Sequence, residues 1–121
     1  MLDTAFIVLV VAVVFGSILA VPYLRESAAA PLPVGALHGL IGIGSLAVLA
    51  LALRGPPRGV EEGVGSFGLI AAILLALAAL AGLLQFALRL RDRRLPSPLV
   101  GLHAMLAIGG FVVLLAYMLA A

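Results

Sequence analysis

The chain has 121 residues, of which 65% are hydrophobic and only 10% are charged, and its formal net charge is +2. A soluble domain carries about 25% charged residues, so this chain has too few charges to cover a globular surface in water. The small net charge argues against a nucleic-acid partner. The absence of cysteine from the sequence excludes disulfides, iron–sulfur clusters and thiolate metal sites. The composition therefore indicates a protein whose solvent is lipid.

Four apolar stretches are each long enough to cross the roughly 30 Å hydrocarbon core as helices: about 4–21, 34–53, 66–88 and 99–120. None alternates in hydrophobicity as a barrel strand does. We expect the first to stop at Pro22. It should be a span, although Ala28-Ala29-Ala30 resembles a cleavage region, because no Lys or Arg precedes it. The predicted fold is all-α: a single integral membrane four-helix bundle with up-down-up-down order over residues 1–121.

An internal repeat relates the two halves of the sequence. The segment from Pro31 to His38 matches the segment from Pro96 to His103 at an offset of 65 residues. Each segment begins with Pro-x-Pro, which is suited to a helix start. Upstream, residues 24–26 resemble residues 90–92 at nearly the same offset. We therefore predict two tandem helical hairpins, about 1–60 and 66–121, related by a pseudo-two-fold axis along the membrane normal.

The arginines predict the orientation in the membrane. The first and third loops carry five arginines and the second loop carries two, so the first and third loops should be cytoplasmic. Both termini would then lie outside, and we expect the inner (plasma) membrane of a bacterium. The run from Arg89 to Arg94 should anchor the topology and touch anionic lipid head groups. Tyr23 and Tyr117, near span ends, are expected to be interfacial anchors.

Each predicted helix places one polar side chain at about the same depth near the cytoplasmic boundary: Ser17, His38, Gln85 and His103. Polar groups inside a membrane are costly and mark functional sites by default. Small residues follow each histidine at i+4 and i+7, on the same helix face: Gly42 and Ser45, then Ala107 and Gly110. Two facing helices built this way should leave a slot with an imidazole on each wall.

The two histidines favour one b-type haem near the cytoplasmic face as the leading hypothesis. His38 and His103 would bind the iron, because neutral imidazole is a common haem ligand and bundles hold cofactors between facing helices. Gly42, Ser45, Ala107 and Gly110 would shape the slot, and Gln85 would support a histidine. The cytoplasmic arginines would lie near the haem propionates.

The four helices and the paired Leu37-His38 and Leu102-His103 segments resemble those of small membrane-embedded b-type cytochromes, whose antiparallel helices hold haem between histidines. The resemblance implies electron transfer. Those cytochromes often carry four histidine ligands for two haems, whereas this chain has two histidines. One haem near one face would need a redox partner, either a soluble domain at the cytoplasmic face or a larger membrane complex.

Other interpretations stay open at the level of the sequence. The histidines would only pack in a non-catalytic accessory or scaffold subunit of a larger, respiratory-type membrane complex, where Gly35 and Gly39 suit close helix contact. A quinone or proton-handling site, a metal ion between the imidazoles, or a small oligomeric transporter or channel are further hypotheses. No catalytic constellation is present in the sequence, so we expect at most an electron-transfer subunit of an oxidoreductase. Expected partners are the lipid bilayer and other membrane subunits or further copies of the chain.

Overall fold

In a computed structural model, which describes residues 1–26 and 30–120, the chain forms four α-helices: α1 (Leu2–Leu24), α2 (Leu32–Ala52), α3 (Phe67–Leu90) and α4 (Ser97–Leu119). All four are long and apolar enough to cross a membrane, and the described residues form no strand. The prediction of an all-helical chain with four candidate membrane spans is confirmed. Residues 27–29, which include two alanines of the run that resembles a cleavage region, and residue 121 lie outside the described ranges.

Prolines set the helix starts and change one predicted end. Pro31 and Pro96 precede the first residues of α2 and α4, and each helix has a second proline in its first turn. A missing N–H costs nothing there, so both helices begin two residues earlier than predicted. The predicted stop of α1 at Pro22 is wrong, because the helix continues to Leu24. Pro22 removes one backbone hydrogen bond in the last turn, which is not enough to end the helix before it.

The C-terminal ends of α1 and α3 are alike. Glu26 and Asp92 both adopt left-handed backbone conformations, with φ of 49° and 51°. The N–H of each donates to a carbonyl three residues earlier, of Tyr23 and of Arg89. A left-handed residue just after a helix satisfies its last carbonyls and turns the chain away. The two acidic residues are 66 positions apart, so equivalent points of the sequence pattern share one local structure.

The helices pack as two close pairs. The contact between α3 and α4 is the most extensive, followed by that between α1 and α2. The contact between α2 and α3 is smaller, and that between α1 and α4 is the smallest. Among the described residues, no Cα atom of α2 lies within 8 Å of one in α4. The two histidine-bearing helices are therefore diagonal in the bundle and can meet only through their side chains.

All fully buried helix residues lie in one half of the bundle, which we call the closed half: Ala5, Leu9, Ala12, Ser45, Leu49, Gly68, Ala71, Leu75, Ala78, Gly110, Leu114 and Tyr117. The other half, which we call the open half, comprises 13–24, 32–44, 79–90 and 97–109. None of these described helix positions is fully buried. The helices are thus densely packed towards the loop that joins α2 to α3 and are looser towards the arginine-rich ends.

Close helix approach and a few internal bonds build the closed half. A Cβ added at Gly110 would lie 2.8 Å from Cγ of Leu75, so glycine is needed for α4 to approach α3. The rings of Phe6 and Phe111 stack with centroids 5.3 Å apart between α1 and α4. Tyr117, expected at the lipid interface, is instead 4% exposed. Its hydroxyl accepts a hydrogen bond from the backbone N–H of Arg58 at 3.1 Å, because it lies on the face of α4 that packs inward.

Candidate functional site

His38 lies against α1 in the first helix pair. Its Nδ1 is 2.9 Å from the backbone carbonyl oxygen of Ala12. A carbonyl oxygen only accepts hydrogen bonds, so Nδ1 carries the proton and donates it. The ring sits directly over Gly16, where an added Cβ would lie 3.0 Å from Cε1 of His38. The absence of a side chain at Gly16 lets the imidazole reach the carbonyl one turn earlier on α1.

His103 lies against α3 in the same way in the second pair. Its Nδ1 is 2.8 Å from the carbonyl oxygen of Ala78, so this ring also donates from Nδ1. An added Cβ at Gly82 would lie 3.1 Å from Cε1 of His103. Each pair therefore contains one imidazole that rests on a glycine and donates to an alanine carbonyl. We call these two arrangements the imidazole seats.

The two imidazoles meet between the pairs, where α2 and α4 face each other diagonally. Their ring centroids are 6.0 Å apart and their planes are inclined by 80°. Neither Nε2 has a hydrogen-bond partner in the part of the chain that the structure describes. Both Nε2 atoms are accessible, because the described residues include no buried side-chain nitrogen or oxygen that lacks a hydrogen-bond partner. In the neutral rings, Nε2 carries the free lone pair of each histidine.

The predicted slot residues have different surroundings. Ser45 is 1% exposed and donates to the carbonyl oxygen of Ala5 at 2.8 Å, and Gly110 is pressed against Leu75. Both therefore belong to contacts inside a helix pair. Gly42 is half-buried and borders free space, because an added Cβ would meet no atom within 4 Å. Ala107 is also half-buried. A side chain could thus be added at Gly42 without meeting another atom at its Cβ, whereas Gly110 is in close contact with Leu75 and Ser45 is buried.

The expected polar layer is only partly assembled. Ser17 is exposed, and its hydroxyl donates to the carbonyl of Val13 in its own helix. The amide of Gln85 donates to the carbonyl oxygen of Leu99 at 3.4 Å, which links α3 to the first turn of α4. The described hydrogen bonds of both side chains go to backbone carbonyls. The two histidines are the members of the predicted layer that the structure brings together.

Arginines at both ends connect separate parts of the bundle. Arg89, at the end of α3, donates to the carbonyl oxygen of Ala30 just before α2, at 2.9 Å. At the opposite end, the guanidinium of Arg58 donates to the carbonyl oxygen of Ala120 at 3.4 Å. Arg25, Arg91, Arg93 and Arg94 are exposed beside the open half. The open half thus has a basic rim, and one of its arginines already joins the two helix pairs.

Four residues of the seats were not found by the sequence analysis: Ala12, Gly16, Ala78 and Gly82. A usable signal existed, because Ala-x-x-x-Gly recurs on the first and third apolar stretches at an offset of 66 residues. That is the same offset as between Glu26 and Asp92. The spacing alone could not show that these positions face histidines.

The donor set limits what could bind between the imidazoles. Within 1–26 and 30–120, no group of three or more His, Cys, Asp or Glu side chains could hold a metal ion. A structural zinc site takes four protein ligands, whereas a haem supplies four of its own nitrogens and needs two axial ligands. In comparisons with known proteins, no family model, no curated protein and no solved structure matches this chain.

Proposed function

We propose that this chain is a membrane-embedded b-type haem-binding electron-transfer protein or subunit, with one haem held by His38 and His103 near the cytoplasmic face. The observation that carries the proposal is the pair of imidazole seats. Both histidines donate a hydrogen bond from Nδ1 to a backbone carbonyl oxygen. Metal-bound histidines usually make this bond with the other ring nitrogen, because it orients the ring and makes the metal-binding nitrogen more basic.

The separation of the rings is compatible with a shared metal. Nε2 of His38 and Nε2 of His103 would hold the metal between the two rings. The observed separation is 6.0 Å. Ligands on diagonal helices leave the plane between the two helix pairs for a flat cofactor, and the pairs have their smaller contacts along that plane.

The open half supports a flat, apolar cofactor rather than a bare ion. Among its described helix positions no side chain is fully buried, although the closed half is densely packed. Interiors are normally filled to crystal-like density, so such a region is suited to an additional group. Gly42 borders free space at this level. The exposed arginines at the rim would pair with carboxylate groups at one edge of a porphyrin.

When bound, the haem would supply reversible one-electron transfer. The chain would hold the iron through two Nε2 atoms, keep the ring planes fixed through the two carbonyl bonds, and surround the macrocycle with apolar helix faces. One haem near one face does not span the bilayer. We therefore propose a redox partner at the cytoplasmic face or neighbouring membrane subunits, or further copies of the chain, against the exposed apolar helix faces.

The finer architecture belongs to the same proposal. We infer up-down-up-down order, because contacts run in opposite senses within both helix pairs. Residues 5 and 12 of α1 bond to residues 45 and 38 of α2, and residues 78 and 85 of α3 bond to residues 103 and 99 of α4. We infer two tandem hairpin repeats, because the seats and the left-handed helix ends recur at offsets of 65 or 66 residues. The arginine-rich end would be cytoplasmic, with both termini outside, in a bacterial inner (plasma) membrane.

The visible spectrum of the protein purified from haem-replete cells tests the proposal. We expect a reduced-minus-oxidised b-type band at one haem per chain, which disappears in both His38→Ala and His103→Ala. Ser17→Ala is the matched control, because Ser17 is an exposed polar residue that bonds within its own helix, and this variant should keep the band. A colourless wild-type protein, or a band that survives both histidine substitutions, would overturn it.

A second function is favoured by one observation: the ring separation and inclination also fit an edge-to-face aromatic contact. In that case the histidines pack the two helix pairs together, and the chain is a non-catalytic accessory or scaffold subunit of a larger membrane complex. Colourless protein that copurifies with other subunits at fixed stoichiometry would support this function.

A further inference from the structure

We propose that Gly16 and Gly82 are positioning residues that hold both histidines in the Nδ1–H tautomer, with Nε2 as the ligand atom. Each glycine admits one imidazole to the carbonyl one turn earlier on the same helix. The inference deepens the proposed haem site. It rests on that function only for the identity of the group that Nε2 binds.

The close contact of ring and glycine is the first argument. An added Cβ at Gly16 would lie 3.0 Å from Cε1 and 3.6 Å from Nδ1 of His38. At Gly82 the distances to Cε1 and Nδ1 of His103 would be 3.1 and 3.3 Å. Both distances to Cε1, and the 3.3 Å distance to Nδ1 of His103, are shorter than ordinary contacts of about 3.5–4.0 Å. A methyl group would push each ring by a few tenths of an ångström, and a branched side chain would remove it from the carbonyl.

Each seat is complete within one helix pair, which is the second argument. His38 has both its glycine and its carbonyl on α1, and His103 has both on α3. The glycine and the carbonyl that fix each ring thus come from its own helix pair, and a ligand between the rings would meet two unprotonated Nε2 atoms. Two such lone pairs cannot hydrogen-bond to each other, so they suit a Lewis-acidic metal or a hydrogen-bond donor.

Nitrogen NMR of the full-length protein, labelled with ¹⁵N-histidine and prepared without haem, measures the tautomers directly. The chain has two histidines, so the spectrum contains two rings, assigned with His38→Ala. At alkaline pH, where both rings are neutral, we expect protonated Nδ1 and unprotonated Nε2 in each. Gly16→Val should change the His38 signals alone, and Gly82→Val should change those of His103 alone.

Gly39→Val and Gly101→Val are the matched controls, because a Cβ at either helix position meets no atom within 4 Å. Both should leave the two rings unchanged. If Gly16→Val fails to fold, Gly82→Val and the wild-type spectrum still decide the question. A wild-type ring mainly protonated at Nε2, or seat variants that leave both tautomers unchanged, would overturn the inference.

The haem content separates this inference from the proposed function. With haem supplied, Gly16→Val and Gly82→Val should bind it about tenfold or more weakly than the wild type, as for other residues that orient metal ligands. If both histidines are Nδ1–H tautomers but the protein binds no haem, the electron-transfer function is contradicted and the inference about the imidazole seats is supported. If the protein binds haem but neither histidine is protonated at Nδ1, the proposed function stands and the inference about the seats is wrong.

Discussion

The closed and open halves of the bundle are built from the same four helices but are packed differently. In the closed half, glycines and alanines bring helices together, and side chains such as Leu114 are wholly buried. In the open half, a Cβ added at Gly39 or Gly42 of α2 would meet no atom within 4 Å. The seats lie where the two halves meet. The comparison indicates that the closed half contains the dense packing that stabilises the fold, whereas the open half, where the proposed function would place the bound group, contains no fully buried helix position among its described residues.

The largest expected effect is on the stability of the closed half. A Cβ at Gly68 would lie 2.5 Å from Cδ2 of Leu53 and 2.9 Å from Cε1 of Tyr117, so Gly68→Val must displace the packing of α3. We expect a loss of about 3 kcal/mol, at the upper end for overpacked cores, measured by reversible unfolding in mixed micelles. Gly101→Val in the open half is the control and should be nearly neutral. Equal losses in both variants would contradict the difference between the halves.

The next effect separates haem binding from stability. Gly42→Leu adds a side chain at a half-buried position four residues after His38, where a Cβ meets no atom within 4 Å, so it should compete with a bound macrocycle. We expect about tenfold weaker haem binding, equivalent to about 1.4 kcal/mol, measured by haem titration of the haem-free protein.

The haem-free Gly42→Leu protein should have an unfolding free energy close to that of the wild type, because a Cβ added at this position meets no atom within 4 Å. Gly44→Leu, where a Cβ also meets no atom within 4 Å but the residue is exposed, is the matched control for haem affinity. Unchanged haem affinity in Gly42→Leu would show that the free space is not part of a cofactor site.

The smallest effect compares two serine hydroxyls. Ser45 donates to Ala5 across the first helix pair, whereas Ser17 donates within its own helix. Interhelical hydrogen bonds in membranes contribute about 0.6 kcal/mol on average, so Ser45→Ala should lower unfolding stability by about that amount. Ser17→Ala should leave it unchanged within error. A larger loss in Ser17→Ala would mean that the exposed serine has a partner outside this chain.

The spans were predictable from the sequence, whereas one helix end was not. Apolar length identifies a span, because in lipid every backbone polar group must be satisfied within the helix. The stop predicted at Pro22 failed, since a proline in the last turn removes only one bond. The matched spacing of His38 and His103 from their Pro-x-Pro segments predicted that the two histidines lie at one level, and in the structure the two rings are 6.0 Å apart.

The predicted slot shows what residue spacing along a helix cannot determine, namely which neighbouring helix a face packs against. Helical periodicity placed Ser45 on the face of His38, and Gly110 on the face of His103. In the structure, His38 and Ser45 both bond to α1, and His103 and Gly110 both contact α3. The shared faces were predicted correctly, but these faces pack against the neighbour within each pair and not across the diagonal. Gly16 and Gly82 were missed for the same reason.

By itself, the sequence determined that this is a membrane protein of four apolar helices, with two histidines at equivalent points of two similar halves. Those properties depend on hydrophobicity and spacing along one dimension. Only the tertiary structure decided which helices pair closely, that each histidine rests on a glycine and a carbonyl of its partner helix, and that one half of the bundle is left loosely filled. Such features depend on the rotation and contact of whole helices, and small residues permit several arrangements that the spacing does not distinguish.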